Sequence, residues 1–420
     1  MCALSDSGRP GSPEGGGKGQ GVRVLISVVG LPHQLRWAYY RVMGGKRARS
    51  RLATAPLLAE LLKDVEPQDV RLVLLAPHSL IPVCDNWREL LSAGDLRSLT
   101  EGIARGAAEF VLESLSRVAE DLGEGDVVAE RLRRLLEDSP DGEPGWLRVA
   151  VVQVRGSFPL GGPREGPVLE FDGDPTHAFV EVYRILKEIH RDRRISGICV
   201  DLSHGWNFLS VLAYLGAAAF RDAYLPDLRL EVKSSEPYTA LASPSVQGKG
   251  SDRGGNRRRL PSGEGEGKYA LGLIDVEPAA DTLRLVRDAA AVRAIPHRSL
   301  SFEAMLSAYE AATEELGLLP EAARCLVKSA ALLRKVSCGL HLGIIPYLHW
   351  SLTLLGDSLP YLRRVVDEVE GLFGGSVYLE ANLAEGRVSY RKKPPLTYVL
   401  LDVLVRLLEE LWNELSAYLK

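Results

Sequence analysis

Three near-continuous apolar runs set the strongest limit on how this chain can fold: VRVLISVVG at 22–30, VRLVLLAP at 70–77 and ISGICVDL at 195–202. None alternates between apolar and polar residues. Each must therefore be covered on both faces, as the central strands of a parallel sheet are. Between the first two lies RSRLATAPLLAELLKDV at 49–65, with helical spacing. The order strand–helix–strand implies a right-handed crossover and an open α/β sheet. WLRVAVVQV at 146–154 and LRLEVKSSE at 228–236 supply two more strands, and residues 98–138 and 176–194 supply helices to cover them. From about residue 279 the texture changes. Amphipathic helical stretches dominate, and only SVYLEANLAEGRVSYR at 376–391 suggests a hairpin. The expected class is α/β plus mainly α.

With 420 residues the chain exceeds what one core usually holds, so two domains are expected. The Gly/Ser/Pro-rich residues 1–21 read as a disordered tail, 22–278 as the α/β domain and 279–420 as the helical one. Within the first, 243–268 is polar, glycine-rich and low in complexity, and reads as a flexible insertion. GGGKGQ in the tail is no phosphate loop, because no strand precedes it and neither Ser nor Thr follows its lysine. A net charge of −4 excludes a globally basic nucleic-acid binder and confines any such site to a local patch. Five cysteines without CxxC spacing give no zinc signature and suit a reducing, cytoplasmic setting. No apolar leader opens the sequence, and FLSVLAYLGAAAF at 208–220 is too short to span a bilayer; a buried helix and no membrane partner are expected.

Ligands of parallel α/β sheets bind beyond the carboxyl ends of the strands. Two strands here end in special residues: Gly30-Leu31-Pro32-His33, and Asp201-Leu202-Ser203-His204-Gly205-Trp206-Asn207. Gly205 permits a sharp turn or a close backbone approach, Ser203 and Asn207 offer donors and acceptors, and the following helix offers free N–H groups suited to phosphate. The same residues also read as an ordinary strand-to-helix turn capped by Ser203 or Asp201.

DLSHGWNFLSVLAY closely resembles the Asp–(Ser/Thr)–(Ser/Thr)–His–Gly–x–Asn motif of CRISPR-associated Rossmann-fold (CARF) sensors, and VLISVVGLPHQLRWAYYRV resembles their strand–Gly–x–Pro opening. The similarity covers roughly 22–278. It is closest to the accessory ribonucleases of archaeal type III systems, which join a Rossmann-like CARF domain to a helical HEPN domain. The resemblance implies a homodimer or higher assembly that binds a cyclic oligoadenylate, usually the tetra-adenylate, across its two-fold axis as an allosteric activator. No further cofactor and no metal are implied. The residues carried over are Gly30, Leu31 and Pro32 from the first loop, and Ser203, His204, Gly205 and Asn207 from the second. Leu31 stands where many relatives carry Asn. Asp201 is expected to hold the turn, since a carboxylate beside phosphate would repel it. Lys46, Arg47, Arg49 and Arg51 could raise the positive potential near the ligand, although a solvated face explains them as well.

HEPN ribonucleases cleave single-stranded RNA without metal, using an Arg–x4–6–His motif at a dimer interface. Arginine offers a permanent charge for phosphate, and histidine can move a proton. One match occurs here, Arg334 to His341 in RKVSCGLH. Seven positions make nearly two helical turns, so both residues fall on one face. A core or capping histidine accounts for the same pattern, and His349 lacks the spacing. The expected function is a cyclic-oligoadenylate-activated endoribonuclease of antiviral defence. The alternatives are a non-catalytic sensor with a degenerate HEPN domain, a ring nuclease that degrades its messenger, and, last, a nucleotide-dependent metabolic enzyme. The last lacks GxGxxG after the first strand.

Overall fold

The computed structural model describes residues 21–30, 37–41, 46–84, 86–93, 95–137, 144–159, 168–203, 207–233, 279–280, 282–283, 286–287, 320–373, 379–382, 387–390 and 396–419. The tail, the insertion expected at 243–268, and nearly all of the expected junction near 279 therefore lie outside the described residues.

Five strands form the central sheet: β1 (Val22–Val28), β4 (Val70–Pro77), β5 (Leu147–Val152), β8 (Ile195–Asp201) and β9 (Leu230–Lys233). Their order is β5-β4-β1-β8-β9, and every pairing is parallel. β1 and β4 sit in the middle and are buried almost throughout, which is why their sequences run apolar without alternation. β9 is a short, half-exposed edge carrying Glu231 and Lys233, a composition that discourages further strand pairing.

A short hairpin of β2 (Ala38–Arg41) and β3 (Arg47–Ser50) precedes α1 (Thr54–Leu61). The helix expected over 49–65 thus begins later and ends sooner. Residues 47–50 instead alternate, with Ala48 and Ser50 buried and Arg47 exposed. Helices α2 (Trp87–Ala93), α3 (Leu96–Leu122) and α4 (Val127–Glu137) connect β4 to β5, α5 (His177–Asp192) leads into β8, and α6 (Asn207–Tyr224) follows it. α1, α3 and α4 pack together, as do α5 and α6. Right-handed crossovers place these two groups on opposite faces of the sheet. The buried side of α5 is Ala178, Phe179, Val180, Val182, Tyr183, Ile185 and Leu186, a helical stripe over the strands.

The C-terminal region is helical: α7 (Pro320–Leu342), α8 (Ile345–Phe373) and α9 (Leu396–Leu415) pack on one another. Gly343, at φ 63°, ends α7 in the left-handed conformation that glycine adopts without strain. The expected hairpin is present as β10 (Leu379–Asn382) and β11 (Arg387–Tyr390). It joins a second sheet of order β10-β11-β7-β6, with β6 (Arg155–Pro159) and β7 (Val168–Asp172) from the first half of the chain. α9 also packs on α5. No helix among the described residues is long and apolar enough to cross a membrane.

Candidate functional site

The chain runs from β1 toward β4 and β5 on one side of the sheet, and from β8 toward β9 on the other. β1 and β8 are neighbours whose connections leave in opposite directions, so a crevice opens beyond their carboxyl ends. Gly30 lies buried two residues past the end of β1, and Ser203 two residues past the end of β8. The fold thus brings both sequence-predicted loops to one switch point. Leu31, Pro32, His204 and Gly205 lie outside the described residues. Asn207 opens α6, so the positive end of an 18-residue helix faces the same crevice.

Asp201 organises the turn. It is 1% exposed. Its Oδ1 accepts the Ser203 backbone N–H at 2.8 Å, and its Oδ2 accepts the Ser27 hydroxyl at 2.8 Å. Ser27 has one proton, and that proton is given to the carboxylate. The 2.7 Å contact between Ser27 Oγ and Thr54 Oγ1 must then carry a proton from Thr54. A hydroxyl chain therefore ties the start of α1, the end of β1 and the end of β8 to one buried carboxylate. Tyr40, buried on β2, feels the same charge: burial first, and Asp201 second, push its hydroxyl up to about 12. Asp201 is an internal strut, as expected, and its lone pairs are turned to protein donors. Ser27, Thr54 and Tyr40 were not anticipated. The one signal for Ser27 was a hydroxyl inside an otherwise apolar run.

The basic run behaves as a bound face. Lys46 pairs with Asp126 at 2.7 Å, Arg49 with Asp121 at 3.5 Å and Arg51 with Glu113 at 3.6 Å, while the Arg51 guanidinium lies over the rings of Trp37 and Phe110. A cleft of about 540 Å³ lined by Trp37, Arg49, Glu113, Ser116, Arg117 and Glu120 lies here. Carboxylates from α3 offset its arginines.

Deeper at the same end of the sheet lie two histidines, His78 buried and His177 half-buried. His177 Nδ1 accepts the Gln153 backbone N–H at 3.1 Å. His78 lies within 3.5 Å of Thr100 Oγ1. Burial, and next the neighbouring His177, depress His78 to about 3, and burial lowers His177 as well. Among the described residues no three His, Cys, Asp or Glu side chains converge as metal ligands.

Arg334 and His341 both lie on α7, which packs against α8 and α9 rather than against the crevice strands. Arg334 is exposed.

Residues 24–237, about half of the chain, match the family described as CRISPR system endoribonuclease Csx1, CARF domain. The chain belongs to this CARF family. The match covers the parallel sheet from the third residue of β1, both crevice loops and the Asp201 strut, and it accounts for the Rossmann-like order of the strands. CARF domains bind cyclic oligoadenylate. No curated protein matches the chain.

Proposed function

We propose that the protein is a type III CRISPR accessory ribonuclease whose CARF domain binds cyclic tetra-adenylate in a homodimer and thereby switches on single-stranded RNA cleavage in the C-terminal helical region. The observation that carries the sensing half is the Asp201 strut at the β1/β8 switch point, because it presents Ser203 and the start of α6 to the crevice while keeping the carboxylate away from a polyanion. Gly30, Leu31 and Pro32 form one wall in this reading, and Ser203, His204, Gly205 and Asn207 the other. Backbone N–H groups and the helix end hold phosphate, and the Ser203 and Asn207 side chains orient the ring. In the helical region Arg334 holds the scissile phosphate, and His341 moves the proton of the attacking 2′-hydroxyl, the two meeting their counterparts from a second copy.

The route between the two halves is physical. α6 begins at Asn207 and ends at Tyr224, whose hydroxyl donates to Asp402 of α9 at 2.7 Å. A ligand that favours one placement of α6 biases α9 with it.

The test incubates labelled single-stranded RNA with the full chain, with and without cyclic tetra-adenylate, and follows melting in parallel. The ligand is expected to raise the melting temperature by mass action and to start cleavage. Ser203→Ala combined with Asn207→Ala is expected to weaken ligand binding at unchanged fold. His341→Ala is expected to abolish cleavage at unchanged ligand binding. A folded Ser203/Asn207 double variant with parental affinity refutes the site. A ligand-stabilised parent that never cuts RNA refutes the nuclease half and leaves a sensor.

A further inference from the structure

From residue 322 to 356 the chain carries Arg324, Lys328, Arg334 and Lys335, with His341 and His349, and not one Asp or Glu. In a protein of net charge −4 this is a pronounced local excess of positive charge. The stretch folds as the hairpin of α7 and α8, pinned where the α carbon of Leu348 lies 3.1 Å from a Cβ built on Gly339. That close approach brings Lys335 beside the first turns of α8. Trp350 is 51% exposed and Ile345 76% exposed. The Trp350 ring lies 5.7 Å from that of Tyr347, and the Lys335 ammonium sits 4.9 Å above the Trp350 ring. Arg334 on α7 and His349 on α8 are exposed. Asp357, nearly two turns further along α8, closes the patch.

An exposed tryptophan beside a second ring and a lysine, in a stretch of sequence without Asp or Glu, is what a single-stranded nucleic acid needs. Every base has a face to stack, and every phosphate needs a counter-charge. The positive end of the 29-residue α8 adds to the same field. We infer that Tyr347, Trp350 and Lys335 form a stacking platform that holds single-stranded RNA beside the α7 helix. The inference deepens the nuclease reading above and rests on it for the choice of RNA. Trp350 and Tyr347 act as positioning residues, stacking bases so that the strand lies along α7.

The experiment measures fluorescence anisotropy of a fluorescein-labelled single-stranded oligouridylate with the full chain, with and without cyclic tetra-adenylate, over a salt series. Trp350→Ala is expected to weaken binding about tenfold, and Trp350→Phe to stay within about threefold of the parent. Lys335→Ala is expected to reduce the slope of log affinity against log salt by about 0.7, the contribution of one phosphate contact on a single strand. Both variants should keep the parental melting temperature and sedimentation. Undiminished RNA affinity in Trp350→Ala overturns the platform. So does an affinity loss accompanied by conversion of the parental oligomer to monomers, which would assign the patch to a subunit contact. Cyclic tetra-adenylate binding, read separately by melting, isolates failure of the sensor reading from failure of this one.

Discussion

Replacing Asp402 by Ala should cost about 3 kcal/mol of stability, and the structure supplies the reasoning. Asp402 lies on α9 with no exposed surface. It accepts the Tyr183 hydroxyl at 2.8 Å, the Tyr224 hydroxyl at 2.7 Å and the Lys187 ammonium at 2.8 Å. Burial, and next the Asp402 charge, hold the Tyr183 hydroxyl well above its ordinary range, so it remains a donor. Removing the carboxylate orphans two hydroxyls, at about 1–3 kcal/mol each. Lys187 keeps Glu370 at 2.6 Å and is not left as a bare buried charge, which holds the total at the low end of the roughly 3–5 kcal/mol for breaking a buried pair. Relief of the carboxylate's own desolvation trims it further. Tyr183→Phe, which removes one donor and leaves two, should cost about 1 kcal/mol. Urea unfolding followed by circular dichroism measures both. A loss below about 1 kcal/mol for Asp402→Ala would refute the reasoning, because the hydroxyls would then have found other acceptors.

Gly216→Ala tests how closely α5 and α6 are joined. A Cβ at Gly216 would lie 2.5 Å from the Phe179 carbonyl oxygen, so the helices must separate. The overpacking cost of about 1–3 kcal/mol should exceed the roughly 1 kcal/mol gained in helix propensity, and the melting temperature should fall. An unchanged or higher melting temperature would mean that the pair yields freely. The buried His78 sets an acid limit. Its folded-state pKa is depressed from 6.5 to about 3, so between those values the unfolded chain binds the extra proton. Stability should fall by up to about 1.4 kcal/mol per pH unit as pH drops below about 6.5, the loss ending near pH 3. His78→Gln should flatten the pH dependence of urea unfolding between pH 7 and 5 by that amount, and an equal slope in parent and variant would exclude His78 as its source.

What could be read from the sequence followed from local chemistry. The strands at 22–28, 70–77 and 195–201 were legible because burial on both faces leaves an uninterrupted apolar run. The turn-holding role of Asp201 was legible because an Asx bond reaches only two residues ahead. The hairpin β2–β3 was not, since ARS within 47–50 and YYR within 38–41 carry little apolar signal. Its arginines are instead held by α3, as Arg49 is by Asp121, 72 positions away. Ser27 and Thr54 were invisible for the same reason, because their partners meet only after the sheet closes. Asp402 left a trace that went unused. A lone acid inside LLDVLV on an apolar helix must either be paired or break the core, and here it is paired three times.

Two buried carboxylates thus sit near opposite ends of one helix. Asp201 fixes the turn that enters α6, and Asp402 takes a hydroxyl from its last residue, Tyr224. Eighteen residues at about 1.5 Å each separate the ends by about 27 Å. Between them Gly216 presses against the backbone of Phe179, so α6 cannot slide without carrying α5. α5 in turn contributes Tyr183 and Lys187 to the same carboxylate. Hydrogen bonds of 2.7–2.8 Å tolerate little displacement before they weaken. A shift at Asn207 must therefore either move α9 with the helix pair or break a buried charged cluster, and the second course costs the same few kcal/mol that Asp402→Ala removes. α9 itself packs directly on α7, the helix of Arg334 and His341.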